Sequence, residues 1–155
     1  MVATFVAFSV AHSLTLGMTL YGWLRPDKAL MDALVAMTIV LVAVEIVHLR
    51  RGRAGLGTRK PWWVAAGCGL VHGVSLAGAL VTLGLPQTDL PLAWLFFNLG
   101  VEGGQLLVIG LGLGVLTAAR PLATRLPERF ASVPAYLLGI CATCWLLDRM
   151  MELFS

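Results

Sequence analysis

The stretch that decides the fold of this chain runs from Ala29 to Leu49 and reads ALMDALVAMTIVLVAVEIVHL. A helix rises about 1.5 Å per residue, so a stretch of this length spans roughly the 30 Å hydrocarbon core of a bilayer. Its apolar residues are continuous rather than alternating, which indicates a helix and not a strand of a closed barrel. Comparable stretches lie on both sides of it. The sequence therefore predicts an all-α fold, a polytopic transmembrane helix bundle.

The composition supports this fold class and excludes others. Of the 155 residues, 59% are hydrophobic and 12% are charged, whereas a soluble domain carries about 25% charged residues. We therefore expect the lipid bilayer to surround most of the chain. The net charge of +3 is concentrated in two loops, which gives no reason to expect a nucleic-acid partner. The three cysteines all lie in predicted spans, so a disulfide framework is not expected.

We predict a single transmembrane domain over residues 1–155 with about five spans. The spans are expected at residues 2–23, 29–49, 62–84, 92–116 and 132–153. No basic segment precedes the first apolar stretch, so we expect a retained helix rather than a signal peptide. G-x-x-x-G pairs at Gly69 and Gly73 and at Gly100 and Gly104 let helices approach closely in lipid. We therefore expect the third and fourth helices to be central.

The basic residues predict the orientation. They are concentrated in two loops, residues 50–60 and residues 117–131. With five spans, both loops lie on the same side of the membrane as Met1. Cytoplasmic loops carry an excess of Lys and Arg. The N-terminus is therefore predicted to be cytoplasmic and the C-terminus external.

Three ionisable side chains lie near the middle of predicted spans: His12, His72 and Glu102. An ionisable group at this depth costs about 2.5–3.5 kcal/mol on insertion scales, so it usually faces the bundle interior or a cavity. Imidazole nitrogens and a carboxylate suit a divalent first-row metal, and histidine also suits a proton relay. We predict a shared midplane site with these three residues as metal ligands. The alternative is that each makes a hydrogen bond between helices.

Further polar residues accompany these three and are expected to orient the ligands or to line a substrate pathway: Ser13, Asn98, Gln105 and Glu45. Asn98, Glu102 and Gln105 are spaced i, i+4 and i+7, so they share one face of the fourth helix. Glu45 lies one turn from His48 near the predicted cytoplasmic end of the second helix. Both side chains are also long enough to reach the interface.

Catalytic motifs are missing from the sequence. It contains no G-x-S-x-G, no P-loop and no H-E-x-x-H, so neither a hydrolase nor an ATP-driven motor is expected and we do not predict an enzyme. A haem held between His12 and His72 is a further hypothesis. The C-x-x-C of Cys141 and Cys144 lies inside an apolar helix, where cysteine usually serves as a small packing residue.

Three strings resemble those of the HupE/UreJ family of bacterial membrane proteins. They are AHSLTL at Ala11–Leu16, GLVHG at Gly69–Gly73 and FNLGVEGGQL at Phe97–Leu106. The pattern from Asp32 to Glu45 agrees with them, and the resemblance extends from about Val2 to Met150. The family is linked to the assembly of nickel enzymes (hydrogenase and urease), and its members are regarded as secondary permeases for nickel or a related divalent metal.

The resemblance implies a multi-pass protein of the bacterial inner membrane that handles nickel or cobalt transiently and holds no tightly bound cofactor. By matching motif, the implied site residues are His12, His72, Asn98, Glu102 and Gln105. Relatives usually carry additional upstream helices with a G-x-D-H motif, which this sequence lacks. That difference favours an alternative: a non-catalytic assembly or structural subunit of a larger membrane complex, partnered by another membrane subunit or by copies of itself.

Overall fold

The structure is a computed structural model that describes residues 2–53, 55–82, 84, 87–123 and 133–154. These residues form helices and short connections, with no strand among them. The helices are α1 (Val2–Leu20), α2 (Lys28–Arg50), α3 (Leu56–Arg59), α4 (Pro61–Thr82), α5 (Leu90–Ala123) and α6 (Val133–Phe154), and a 3₁₀ turn at Gln87–Asp89 precedes α5. The all-α prediction is confirmed.

Local chemistry explains where these helices begin. The Asp27 side chain accepts a hydrogen bond of 3.0 Å from the backbone N–H of Leu30 and so caps the start of α2. Pro61 is the first residue of α4 and Pro91 the second of α5, positions where the missing N–H of proline costs nothing. The turn after α1 passes through Gly22 at a φ of 76°, which glycine adopts without strain.

The long helices lie side by side in the order α5, α1, α4, α2, α6. The closest pair is α1 and α4. A Cβ at Gly69 would meet the backbone of Phe8, and one at Gly73 would meet the His12 carbonyl and the Thr15 hydroxyl. The central position predicted for the third helix is therefore confirmed, since α4 packs between α1 and α2.

The central position predicted for the fourth helix is wrong. This helix, α5, lies at one end of the row and packs against α1. A Cβ added at Gly100 or Gly104 would meet nothing within 4 Å among the described residues. Glycine lets another helix approach, but it does not supply the partner, so its presence alone does not place a helix at the centre.

Among the described residues, four helices are long and apolar enough to cross a membrane: Val2–Leu20, Lys28–Arg50, Pro61–Thr82 and Leu90–Ala118. The chain is therefore a multi-pass membrane protein. The helix α6 is not one of the four, and it carries Asp148, Arg149 and Glu152 near its end. The count of five spans and the orientation of the termini remain predictions.

The predicted span at residues 2–23 ends three residues early, at Leu20, and two other helical segments differ more from the prediction. The helix α5 continues to Ala123 instead of ending near residue 116, and its 34 residues give a length of about 50 Å. The added residues include Ala118, Ala119 and Arg120, which favour a helix whether or not lipid surrounds them, and the helix ends two residues after Pro121. The short α3 lies within the predicted loop of residues 50–60. Arg125 and Arg129, predicted in the second basic loop, lie outside the described residues.

Candidate functional site

His12 is the ionisable side chain of α1, and it is enclosed. It is 2% exposed, because it lies on the face of α1 that packs against α4. The Phe8 ring, one turn away, stacks on its imidazole with the ring centroids 5.8 Å apart. Neither ring nitrogen of His12 has a hydrogen-bond partner among the residues that the structure describes. A buried polar group normally has one, so these nitrogens are available to a ligand or a proton.

His72 lies on α4 and faces α2. Its Nε2 is 3.1 Å from the Thr38 hydroxyl oxygen, and that hydroxyl donates its own proton to the Val35 carbonyl at 2.6 Å. A hydroxyl has one proton to give, so the neutral His72 ring donates its Nε2–H to Thr38. The lone pair of such a ring is on Nδ1, which is the nitrogen left for a cation.

Phe8 connects the two histidines. Its ring stacks on His12 and meets the His72 ring edge-on at 5.9 Å between centroids. Both imidazoles therefore lie at the same depth and contact one phenyl ring. The sequence predicted this common depth from the positions of the two histidines in their spans, but it did not indicate Phe8, because an aromatic residue in an apolar helix is not distinguished by type.

Asn98 and Ser13 attach α5 to α1. The Ser13 hydroxyl donates a hydrogen bond of 2.6 Å to Asn98 Oδ1, and Asn98 Nδ2 donates to the Trp94 carbonyl at 2.8 Å. The Trp94 indole N–H donates back to the Ser13 carbonyl at 3.0 Å. Both predicted residues thus have their partners in each other and in neighbouring backbone, as interhelical hydrogen bonds do.

The register of α1 against α5 locates Glu102 and Gln105. Trp94 contacts Gly17 and Asn98 contacts Ser13, so one further turn of this antiparallel pair places Glu102 at the level of Ser9. Ser9 Oγ and Gln105 Oε1 are buried, and neither has a partner among the described residues. They add unpaired polar atoms to those of His12, which faces α4.

Glu45 has a structural contact that the sequence did not indicate. Its Oε1 accepts a hydrogen bond of 2.9 Å from the Leu56 N–H at the start of α3. The other oxygen, Oε2, is buried and unpartnered within the described part of the chain. A side chain at Gly55 would collide with this carboxylate. Glu45 therefore holds α3 in place and keeps one oxygen free.

Two cavities lie along α2 and α4, at opposite ends. We call the first the basic-loop cavity, of about 490 Å³, which extends from α3 to His72. Besides His72 its lining includes Phe8, Thr38, Glu45, Thr58 and Cys68. We call the second the hairpin cavity, of about 840 Å³, which lies beside the turn between α1 and α2. Its polar lining comprises Thr19, Tyr21, Arg25, Lys28, Asp32, Ser75 and Thr82.

Thr38 and Cys68 line the basic-loop cavity but were not selected from the sequence. A signal for Thr38 was present, because it lies seven residues before Glu45, and that spacing places the two residues on one helix face. A further cavity of about 760 Å³ is lined by Phe8 and Gln105 between α1, α4 and α5. Phe8 therefore borders both the His72 side and the Gln105 side of the site.

The structure does not gather the predicted ligands into a preformed metal site. Among the described residues, no three His, Cys, Asp or Glu side chains converge closely enough to hold a metal ion. His12 and His72 share a contact with Phe8, while the register of α1 against α5 places Glu102 at the level of Ser9. Joint coordination by His12, His72 and Glu102 stays a prediction.

Comparison with known proteins adds one finding. Residues 1–149 match the protein family described as HupE / UreJ protein. No curated protein and no solved structure matches the chain. The match covers all the helices that carry the polar residues described above.

Proposed function

Since the chain belongs to the HupE/UreJ family, we propose that it is a secondary permease for a divalent metal cation, nickel or cobalt, in a bacterial inner membrane. The cation is a transient substrate, and no tightly bound cofactor is needed. Imidazole nitrogen is a suitable ligand for nickel, and carboxylate oxygen is a second. Both kinds of group are present at mid-depth in this chain.

The observation that carries this proposal is that the imidazole of His12 is buried without a hydrogen-bond partner in the described part of the chain. Its imidazole is 2% exposed, and both of its ring nitrogens lack a hydrogen-bond partner among the described residues. A histidine that only joined helices would have its nitrogens paired, as Asn98 and Ser13 do. An unpaired imidazole next to that of His72 favours a group that binds and releases a cation.

The contacts support several separate, weak cation-binding sites rather than one strong site. In the basic-loop cavity, the free oxygen of Glu45 and the Nδ1 lone pair of His72 are two separate ligands for a cation. His12 lies across the Phe8 ring from His72, and Glu102 lies at the level of Ser9. Conduction requires binding that is favourable enough to admit the ion and weak enough to release it. Single ligands spaced along a route meet that requirement better than one closed cage.

Cobalt uptake into proteoliposomes tests the proposal. Purified protein is reconstituted around a metal-sensitive dye, and uptake is compared for wild type, His12→Ala, His72→Ala and Glu102→Gln. The matched control is His48→Ala, because His48 lies in a separate cavity between α2 and α6. We expect wild type and His48→Ala to accumulate cobalt and the three site variants to lose most of the uptake.

One result contradicts the permease, and another contradicts the role of the histidines in it. One is wild-type protein that folds but accumulates no cobalt or nickel above empty vesicles. The other is uptake by His12→Ala and His72→Ala at the wild-type rate, with equal amounts of folded protein in the vesicles. The second result would leave transport standing but would remove the histidines from it.

A second function is favoured by α5. No residue between Val101 and Ala118 is buried, and several glycines of this helix, including Gly104, have open space on their outer side within the described part of the chain. An assembly or structural subunit of a larger membrane complex would use such a helix as its contact. Stable co-purification with another membrane subunit, unchanged by His12→Ala, would support this function over transport.

A further inference from the structure

The two cavities along α2 and α4 approach each other at His72 and Ser75, which both make a polar contact with α2. The basic-loop cavity ends at His72, which is bonded to Thr38. The hairpin cavity reaches Ser75, whose hydroxyl lies 3.5 Å from Asp32 Oδ1. Ser75 and His72 are three residues apart on α4, which is about 4.5 Å along the helix. Less than one helical turn therefore separates the two cavities.

Polar groups continue through both cavities along one pair of helices. On α2, Asp32, Thr38 and Glu45 follow each other at intervals of about 10 Å, and together they cover about 20 Å of the helix. On α4, Ser75, His72 and Cys68 lie opposite them. A bilayer core is about 30 Å thick, so these groups place a polar side chain about every 10 Å along two thirds of an otherwise apolar interface.

Asp32 supplies the carboxylate of the hairpin cavity, and this carboxylate is paired with the side chain of Lys28. The Lys28 ammonium lies 2.8 Å from Asp32 Oδ2, and the side chain of Lys28 is 82% exposed against 19% for Asp32. Exposed ion pairs of this kind contribute little to stability, so the ammonium is easily displaced. The enclosed carboxylate and the Ser75 hydroxyl offer the oxygen ligands that divalent cations accept.

We propose that Asp32 is the cation-binding entrance group of a route between α2 and α4, and that Lys28 competes with the incoming divalent cation for it. This inference rests on the proposed function, because it places a second binding site on the path of the same substrate. The cation displaces the ammonium from Asp32 and passes Ser75. It then passes the Thr38–His72 pair and binds the Nδ1 lone pair of His72 in the basic-loop cavity.

The kinetics of cobalt uptake by proteoliposomes test this inference. We expect Asp32→Asn to raise the apparent KM for cobalt about tenfold or more and Asp32→Glu to restore most of the affinity. Lys28→Gln removes the competitor, so it should lower the KM severalfold. Arg25 lines the same cavity, and Arg25→Gln should act in the same direction. Asp89→Asn is the matched control, since Asp89 lies outside both cavities in the turn before α5.

Each outcome decides the inference. If wild type takes up cobalt and Asp32→Asn leaves the KM unchanged, the Asp32 entrance is wrong while the permease stands. If wild type takes up no cobalt, both proposals fail together. If Asp32→Asn does not fold, Lys28→Gln decides alone, because an unchanged or raised KM in that variant overturns the competition between Lys28 and the cation.

Discussion

A single threonine determines how His72 can act. The Thr38 hydroxyl gives its proton to the Val35 carbonyl and therefore accepts from His72 Nε2. The sequence identified His72, since an ionisable residue in an apolar span is conspicuous. It did not identify Thr38, because a hydroxyl in a helix usually bonds its own backbone, and only the packing of α2 on α4 shows that it also meets an imidazole.

Gly73 lies where α1 and α4 pack closely, so we expect even a single added methyl group to destabilise the protein. A methyl group at this position would meet the His12 carbonyl and the Thr15 hydroxyl, and overpacking of this kind costs about 1–3 kcal/mol. Gly73→Ala should therefore lower the thermal stability of the detergent-purified protein. Gly78→Ala on the same helix is the control, because nothing among the described residues lies within 4 Å of its added methyl group. Equal melting temperatures for the two variants would contradict the close packing of α1 on α4.

At the scale of whole helices, the sequence predicted where the spans lie better than how they pack. The bounds of α2 agree within one residue at each end, because continuous apolar composition marks the lipid-embedded length. The position of α5 at the end of the row was not predictable, since Gly100 and Gly104 carry no information about which helix fills the space beside them. The short α3 was missed because its cap, Glu45, is eleven residues away from Leu56 along the chain.

The attachment of α5 to α1 can be measured by a double-mutant cycle. Ser13→Ala and Asn98→Ala each remove one partner of the 2.6 Å hydrogen bond between these helices. Interhelical bonds in membranes couple by about 0.6 kcal/mol on average and about 1.7 at most. We expect a coupling energy in this range from unfolding in mixed micelles. Fully additive losses of stability would mean that this bond does not hold α5.

The Glu45 cap predicts the behaviour of α3. Glu45→Ala removes the acceptor of the Leu56 N–H, so the amide hydrogens of Leu56–Arg59 should exchange with solvent faster than in wild type. Glu45→Gln keeps an oxygen acceptor and should exchange nearly as slowly as wild type. Hydrogen exchange followed by mass spectrometry makes this comparison. Unchanged exchange in Glu45→Ala would show that α3 is held by other contacts.

At the scale of the molecule, the five long helices of the described residues form an open row rather than a closed ring. The candidate site residues lie inside this row, on α1, α2 and α4 and on the side of α5 that meets α1. The sequence predicted that His12, His72 and Glu102 share one depth. It did not predict that Ser13 and Asn98 join α1 to α5 while Thr38 and His72 join α2 to α4, because that division depends on the order of helices in the row.

The direction of any transport depends on the topology, which the charge distribution predicts. In a cysteine-free background, Lys28→Cys should react with a membrane-impermeant maleimide in intact cells, and Arg53→Cys should react only after lysis, because basic loops stay cytoplasmic. If α6 crosses the membrane, Met151→Cys, at a site 68% exposed, should react on the same side as Lys28→Cys. Reaction of Met151→Cys only after lysis would mean that the acidic and basic side chains near the end of α6 keep this helix from spanning, and that the C-terminus is cytoplasmic.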